Sequence, residues 1–337
     1  MRRPVKFKHV LIIVVMAAIL RNSAVTIGSK SLVQTTTIPS NTSTITDVPT
    51  LQIGQTHVTP VDCTAVLAKE EGNDIATLVT LRHKSDHPFV VSFPKWVGHS
   101  RAKDQMLEDD GGSTSYQFLP EIRDGEIYID VGANIGQTSM PALVQKGLET
   151  YAFDPLEFDI VRICEGWQAN LDRGYVPPQV GGVVDPPFYL FRTLVGDQLQ
   201  ESFNISRPYD DFGKFEQASI FSNTIGVMVK PKLVTESVPM LTLDALIPPH
   251  KAIGLVKIDV QGAEMMVVKG MTQILSRSTG YPAMILYEEQ ARVTNGAGGK
   301  LGAVQAFLEG FGYTCEAYGK SDNICRKSRV VATNLRH

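Results

Sequence analysis

The sequence predicts an α/β protein built on a doubly wound, mostly parallel, seven-stranded sheet with a C-terminal antiparallel hairpin. Three observations carry this. From about residue 127 onward, short β-rich apolar runs alternate with helix-compatible segments, the pattern of a parallel sheet covered by helices. Twice such a run meets a glycine turn and then a helix start: Ile127–Gly136 (I-Y-I-D-V-G-A-N-I-G) and Gly254–Glu264 (G-L-V-K-I-D-V-Q-G-A-E). Acids stand at five successive strand ends, Asp130, Asp154, Asp197, Asp259 and Glu288. In open α/β sheets the ligand lies outside the carboxyl ends of the strands, where strand order reverses.

Composition sets the outer limits. The 337 residues are 43% hydrophobic and 20% charged, enough for one large domain or two small ones. A net charge of −3 gives no electrostatic case for a nucleic-acid partner. The four cysteines, Cys63, Cys164, Cys315 and Cys325, lack zinc-type spacing and allow three pairings. In an oxidising lumen, Cys315 and Cys325 are the pair expected to join, across Gly-Lys-Ser-Asp-Asn.

The N-terminus reads as a separate region. Arg2, Arg3, Lys6 and Lys8 precede an unbroken apolar run, Val10–Leu20. Basic residues before a run of this length suit a secretory signal or a short type II anchor over residues 1–21. If uncleaved, this segment is the membrane contact. Residues 22–60 shift to Ser, Thr and Pro, as in a stem or linker. Asn41-Thr42-Ser43 and Asn204-Ile205-Ser206 are N-glycosylation sequons. The remaining span, 61–337, is expected to form the folded domain, and the protein to reside in the secretory pathway or to be secreted.

Within that domain, Val61–Lys84 carries a helical apolar pattern, and Phe89–Val97 alternates like a strand. His83 and His87 are four apart, but Pro88 disfavours the helix that would pair them on a metal, so no metal site is expected. Asp104–Gly112 is an acidic turn, and Tyr116–Leu119 forms a short helix before the central strand. The first glycine turn is G-x-x-x-G, with Asn134 inside it, and not the G-x-G-x-x-G of a pyrophosphate cradle. It therefore suits a ligand without phosphate, or no ligand at all, as a plain strand-to-helix turn. The missing fingerprint also argues against a nicotinamide-dependent reductase.

The second strand, Thr150–Phe153, ends in Asp154, which lies 22 residues past Gly132. There a βαβ unit returns beside its first strand, and an acid accepts hydrogen bonds from ribose hydroxyls. A helix cap before Leu156–Asn170 is the other use of Asp154. Pro177–Pro187 is a loop. Phe188–Val195 is a third strand, closed by Gly196-Asp197, and Ser202–Val229 is an insertion or strand pair that covers the site. Thr242 caps a helix beginning at Leu243. Strand Gly254–Ile258 leads through Asp259–Glu264 into a helix that runs to Leu275. Strand Ala283–Tyr287, helix Leu301–Gly310 and the hairpin Tyr313–Tyr318/Ile324–Val330 complete the order.

Val131–Gly136 (V-G-A-N-I-G), Phe153–Phe158 (F-D-P-L-E-F) and Val256–Glu264 (V-K-I-D-V-Q-G-A-E), in that order, resemble the FkbM family of S-adenosylmethionine-dependent methyltransferases over roughly residues 85 to 325. The resemblance implies a class I methyltransferase fold, with S-adenosylmethionine as cofactor. It implies that Asp130, Gly132, Asn134 and Gly136 shape the methionine end of the pocket, that Asp154 holds the ribose, and that Asp197 reaches the adenine. Lys257, Asp259 and Glu264 belong to the loop where the acceptor lies. The family usually carries Glu at the positions of Asp154 and Gln261. A hydroxyl acceptor on a glycan or small molecule needs a general base. Asp259 is the expected base, with Glu264 or Glu288 in second place and Lys257 as either an ion-pair partner or a catalytic group. A methyltransferase-fold binding protein of weak or no activity, marked by Gln261, is the alternative.

Overall fold

The computed structural model describes residues 48–69, 76–81, 88–94, 114–175, 179–180, 183–184, 188–209 and 232–329. The N-terminal signal or anchor segment, most of the linker, Asn41, the His83/His87 pair and the acidic turn at 104–112 lie outside them. Among the described residues no helix is long and apolar enough to cross a membrane.

The chain opens with a small hairpin, β1 (Leu51–Ile53) and β2 (Thr56–Val58). Helix α1 (Cys63–Lys69) follows, then a second hairpin of β3 (Ala76–Leu81) and β4 (Phe89–Pro94). A 3-10 turn at Thr114–Glu121 leads into β5 (Glu126–Val131), α2 (Ser139–Val144), β6 (Thr150–Asp154) and α3 (Glu157–Asp172). A two-residue ladder, β7 (Gln179–Val180) with β8 (Val183–Val184), precedes β9 (Phe188–Arg192) and β10 (Leu194–Val195). Long strands β11 (Gln200–Tyr209) and β12 (Lys232–Leu241) are followed by α4 (Leu243–Leu246) and β13 (Ala252–Ile258). Then come α5 (Glu264–Lys269), α6 (Thr272–Leu275), β14 (Met284–Glu288), α7 (Ala291–Gly296) and α8 (Ala303–Glu309). The hairpin of β15 (Thr314–Tyr318) and β16 (Asp322–Arg326) comes last.

The main sheet has seven strands in the order β15-β16-β14-β13-β5-β6-β9. Its pairings are parallel from β14 through β9, and β16 alone runs antiparallel to its neighbours. Strand order reverses between β5 and β13, so the two glycine turns emerge side by side at the switch point. Period-2 alternation explains the layers. Ile127, Ile129 and Val131 of β5 enter one core, with α4, α5, α6 and α8. Tyr128 enters the other, with α2, α3 and β4. Aromatic pairs tie the parallel strands: Phe153 stacks on Phe191 at 5.2 Å, and Tyr151 meets Tyr189 at 4.9 Å.

Several expected elements change shape. The helical pattern over Val61–Lys84 yields a short helix and then β3, whose partner is β4. This hairpin lies on α3: Asn170 donates to the Val90 carbonyl and accepts from the Val90 N–H, at 2.9 and 2.8 Å. The linker reading to residue 60 runs too far. Ile53 and Val58 are buried in the main core, so the folded unit takes in the first hairpin. The helix expected to reach Leu275 divides at Gly270, because that glycine packs against the Gly196 backbone: a Cβ there would come 1.8 Å from Gly196 O. Thr242 does cap α4, its side chain accepting from the Ala245 N–H.

Both disulfides form. Cys315–Cys325 joins β15 to β16 as expected, and Cys63–Cys164 fastens α1 to α3.

Candidate active site

The first turn is a closed structure. Gly132, Asn134 and Gly136 all have positive φ (81°, 52° and 81°), backbone that glycine tolerates and asparagine can adopt. Its N–H groups bond inward. Those of Gly132 and Ala133 donate to the Phe153 carbonyl, that of Gly136 to the Ala133 carbonyl, and that of Ile135 to Asn134 Oδ1. The Asn134 N–H donates to Asp154 Oδ2 at 2.9 Å. A loop with its donors already bonded is a wall and not a cradle for an anion.

Asp154 joins this wall to the next strand. Its other oxygen accepts from the Leu156 N–H at 3.0 Å, one residue before α3 begins. Burial raises its carboxyl to about 7, against the opposing pull of these two donors. Two of its roughly four acceptor positions remain.

Asp130 is fully buried beneath the turn. One oxygen accepts from the hydroxyls of Thr138 and Ser139, and the other lies 3.2 Å from Lys257 Nζ. Lys257 also donates to the Gly132 carbonyl at 2.7 Å and stands 3.9 Å from Asp259. Burial pulls the lysine's proton affinity down, but Asp130 and Asp259 outweigh it and hold the ammonium above its usual pKa. Lys257 is thus a charged rivet between the two turns. Their backbones also touch: the Asp259 N–H donates to the Val131 carbonyl, and a Cβ on Gly132 would fall 1.9 Å from Asp259 O.

The second turn has a different character. Gln261 and Gly262 take positive φ (53° and 104°). Gln261 Nε2 donates to Asp259 Oδ1 at 2.8 Å and to Glu288 Oε2 at 3.0 Å. The amide therefore bridges carboxylates from the ends of two neighbouring strands. Gln290 and Ser321 donate to the remaining Glu288 oxygen. Burial, and then Asp259, raise the Glu288 carboxyl to about 7. Asp259 and Glu288 are both partly exposed. Glu264 faces inward instead, its carboxylate accepting from the N–H groups of Gly262 and Val260 at 3.0 and 3.4 Å. Burial pushes it, too, to about 7.

The structure brings Asp130, Gly132, Asn134, Gly136, Asp154, Lys257, Asp259, Glu264 and Glu288 to one edge of the sheet. It does not bring Asp197 with them. The expected strand Phe188–Val195 breaks at Thr193: Phe188–Arg192 stays in the main sheet, and Leu194–Val195 pairs with β12 in a separate three-stranded sheet. Asp197 is exposed beyond that second strand, and among the described residues no hydrogen bond or ion pair links it to the cluster. The β11–β12 pair borders the same edge beside Asp154: Glu236 of β12 accepts from the Glu157 N–H and from Arg192.

Four residues of the cluster carry no signal in the sequence as site residues. Thr138 and Ser139 look like an ordinary helix start, and Gln290 and Ser321 arrive from loops. Glu289, beside Glu288, is engaged elsewhere, with both its oxygens accepting the Gly302 N–H at the start of α8.

Residues 130–315 match the family model described as the methyltransferase FkbM domain, a span that begins at Asp130 and includes both turns. No curated protein matches this sequence. With more than half of its length under that model, and with both turns at the switch point of the sheet, the chain belongs to the FkbM methyltransferase family.

Proposed function

We propose that this chain transfers a methyl group from S-adenosylmethionine to a hydroxyl of a glycan or small molecule in the secretory lumen. The observation that carries the reading is the Asp259–Gln261–Glu288 cluster, two carboxylates held together at adjacent strand ends. A hydroxyl is a poor nucleophile near neutral pH and needs a proton acceptor within hydrogen-bond reach. A carboxyl whose pKa sits near 7, as burial sets it for Glu288, suits that exchange.

The residues fit the cofactor by the chemistry of their donors and acceptors. The edge is rich in acceptors, the N–H groups of the first turn are bonded internally, and the ammonium of Lys257 is held by Asp130 and the Gly132 carbonyl. Such a site favours hydroxyls and positive charge over phosphate. Bound there, S-adenosylmethionine supplies a methyl group on a cationic sulfur. Asp154 has acceptor capacity left for ribose hydroxyls. Gly132, Asn134 and Gly136 form the wall at the methionine end, supported from beneath by Asp130. Asp259 orients the acceptor or takes its proton, with Glu288 beside it. Glu264 and Lys257 hold the geometry, since both are committed to backbone groups. Asp197, exposed beyond β10 and away from the cluster, is the weakest of the cofactor assignments.

Lumenal residence is supported by the pairing of all four cysteines, because disulfides persist in oxidising compartments. Lumenal residence favours glycans or secreted small molecules as acceptors over cytosolic metabolites.

Calorimetry of the purified chain with S-adenosylmethionine tests the cofactor, and absence of binding removes the enzyme reading. Labelled cofactor incubated with fractionated glycans, lipids and proteins then finds the acceptor. Asp259→Asn should lower turnover about 10²–10⁴-fold with cofactor affinity retained; unchanged turnover removes Asp259 from its role. A second reading rests on Gln261. The bridging amide occupies both carboxylates, as suits a binding protein that has left catalysis. Cofactor binding with no label transferred to any fraction favours it.

A further inference from the structure

The sequon Asn204-Ile205-Ser206 lies within β11. Strand alternation sorts its side chains. Ile205 is buried against Leu156 and Val238, so Asn204 and Ser206 point to the opposite face. Asn204 is exposed.

Hydroxyl side chains surround the sequon on that outward face. Asn204 stands opposite Ser237, and Ser206 opposite Thr235. Ser202 shares a hydrogen bond with Ser237 at 2.5 Å, and Ser206 with Thr235 at 3.4 Å. Beside Asn204, then, stand the short hydroxyl side chains of Ser202, Ser206, Thr235 and Ser237, which leave room above the amide and offer hydrogen-bond partners to a sugar. The strand order of this sheet is β10-β12-β11, so β11 is one of its two edge strands among the described residues. An edge left with free backbone groups invites pairing with another chain, and proteins block it with bulky or charged cover.

We propose that Asn204 is a modification site carrying an N-linked glycan, which stands on the hydroxyl face of β11 beside a sheet edge that has no partner strand among the described residues. The donor is an oligosaccharide linked to a lipid pyrophosphate. The Asn204 amide nitrogen forms a bond to the anomeric carbon of the first sugar and the sugar–pyrophosphate bond breaks. The amide proton passes to a base of the transferring enzyme, and the lipid pyrophosphate leaves. The proposal rests on the lumenal reading above and is independent of methyl transfer.

The test expresses the full chain in a eukaryotic secretory host. The protein is treated with peptide-N-glycosidase F in heavy-oxygen water, and the Asn204 peptide is read by mass spectrometry. Thiol alkylation of the same sample reports whether the disulfides have formed. The expected result is oxidised cysteines and labelled conversion of residue 204 to aspartate. Asn204→Gln and Ser206→Ala should each remove one glycan from the intact mass, and Ser206→Thr should keep it. The count at Asn41 is followed separately with Asn41→Gln. Oxidised cysteines with an unmodified Asn204 overturn the glycan while leaving the lumenal reading standing. Free thiols overturn both. Neither outcome bears on cofactor binding.

Discussion

The two strand–glycine–helix turns leave adjacent parallel strands, β5 and β13, yet they dispose their polar groups in opposite ways. The first bonds its own N–H donors, and its acid, Asp130, is sealed under it by two hydroxyls and Lys257. The second leaves its acid, Asp259, partly exposed and coupled through Gln261 to Glu288 on a third strand. Like motifs in sequence thus serve as unlike walls. One keeps its acid sealed beneath the turn, and the other leaves Asp259 partly exposed beside Glu288.

The strongest way to break this contrast is to separate the walls. Gly132→Ala places a Cβ 1.9 Å from Asp259 O, at a φ of 81°. Its relief requires both turns to move. A loss of about 5 kcal/mol is expected, read as the fall in urea midpoint, and a midpoint near that of the parent would show that the turns do not lean on each other.

Next in size is the rivet. Lys257→Met leaves Asp130 buried with its countercharge gone, which costs about 3–5 kcal/mol. Asp130→Asn with Lys257→Met should recover most of that loss in a double-mutant cycle, and additive effects in the cycle would mean that the pair does not act as a unit.

Glu264 supplies a pH test. Its folded pKa, about 7, exceeds the ordinary 4.5, so the folded state binds the proton more tightly. The resulting stability is fully present below about pH 4.5 and is lost as pH rises through 7, on the order of 3 kcal/mol. Glu264→Gln should flatten that part of the stability profile, and an unaltered slope would assign the effect to other groups. Asp154 and Glu288 shift in the same direction and set the slope that remains.

The smallest effect sharpens the comparison most. Gln261→Glu replaces a shared donor with a third carboxylate. It should raise the proton affinity of the Asp259–Glu288 pair and move the acid limb of turnover upward by about one pH unit. A pH profile that stays in place would make the amide a spacer only.

Much of this architecture is legible in the chain. The glycine turns, the acid that ends β6 and the closing hairpin rest on local signals: alternation, φ-permissive residues and the return distance of a βαβ unit. The misreadings share a cause, in that tertiary partners override local patterns. Phe188–Val195 reads as one strand because β-rich apolar residues flank Arg192 and Thr193 on both sides, and pairing with β12 draws Leu194 and Val195 into another sheet. Leu51–Val58 has strand alternation and a glycine at its turn, but a Ser/Thr tract before it masks the signal. Ser321 cannot be assigned to the site from sequence, because a loop residue's neighbour across the fold has no local signature. The acid pair Glu288-Glu289 looks like one feature, and packing sends its two members to different partners.

The Cys63–Cys164 bond spans 101 residues. Asp130, the first turn and Asp154 all lie inside the ring it closes; Asp259, Gln261 and Glu288 lie outside. In the chain-entropy account such a ring restrains the unfolded ensemble by about 4–5 kcal/mol. Covalent topology thus divides the site along the same line as its hydrogen bonds. The first wall belongs to a cyclised segment whose unfolded chain is restrained, and the second, with Asp259 and Glu288, to a linear one.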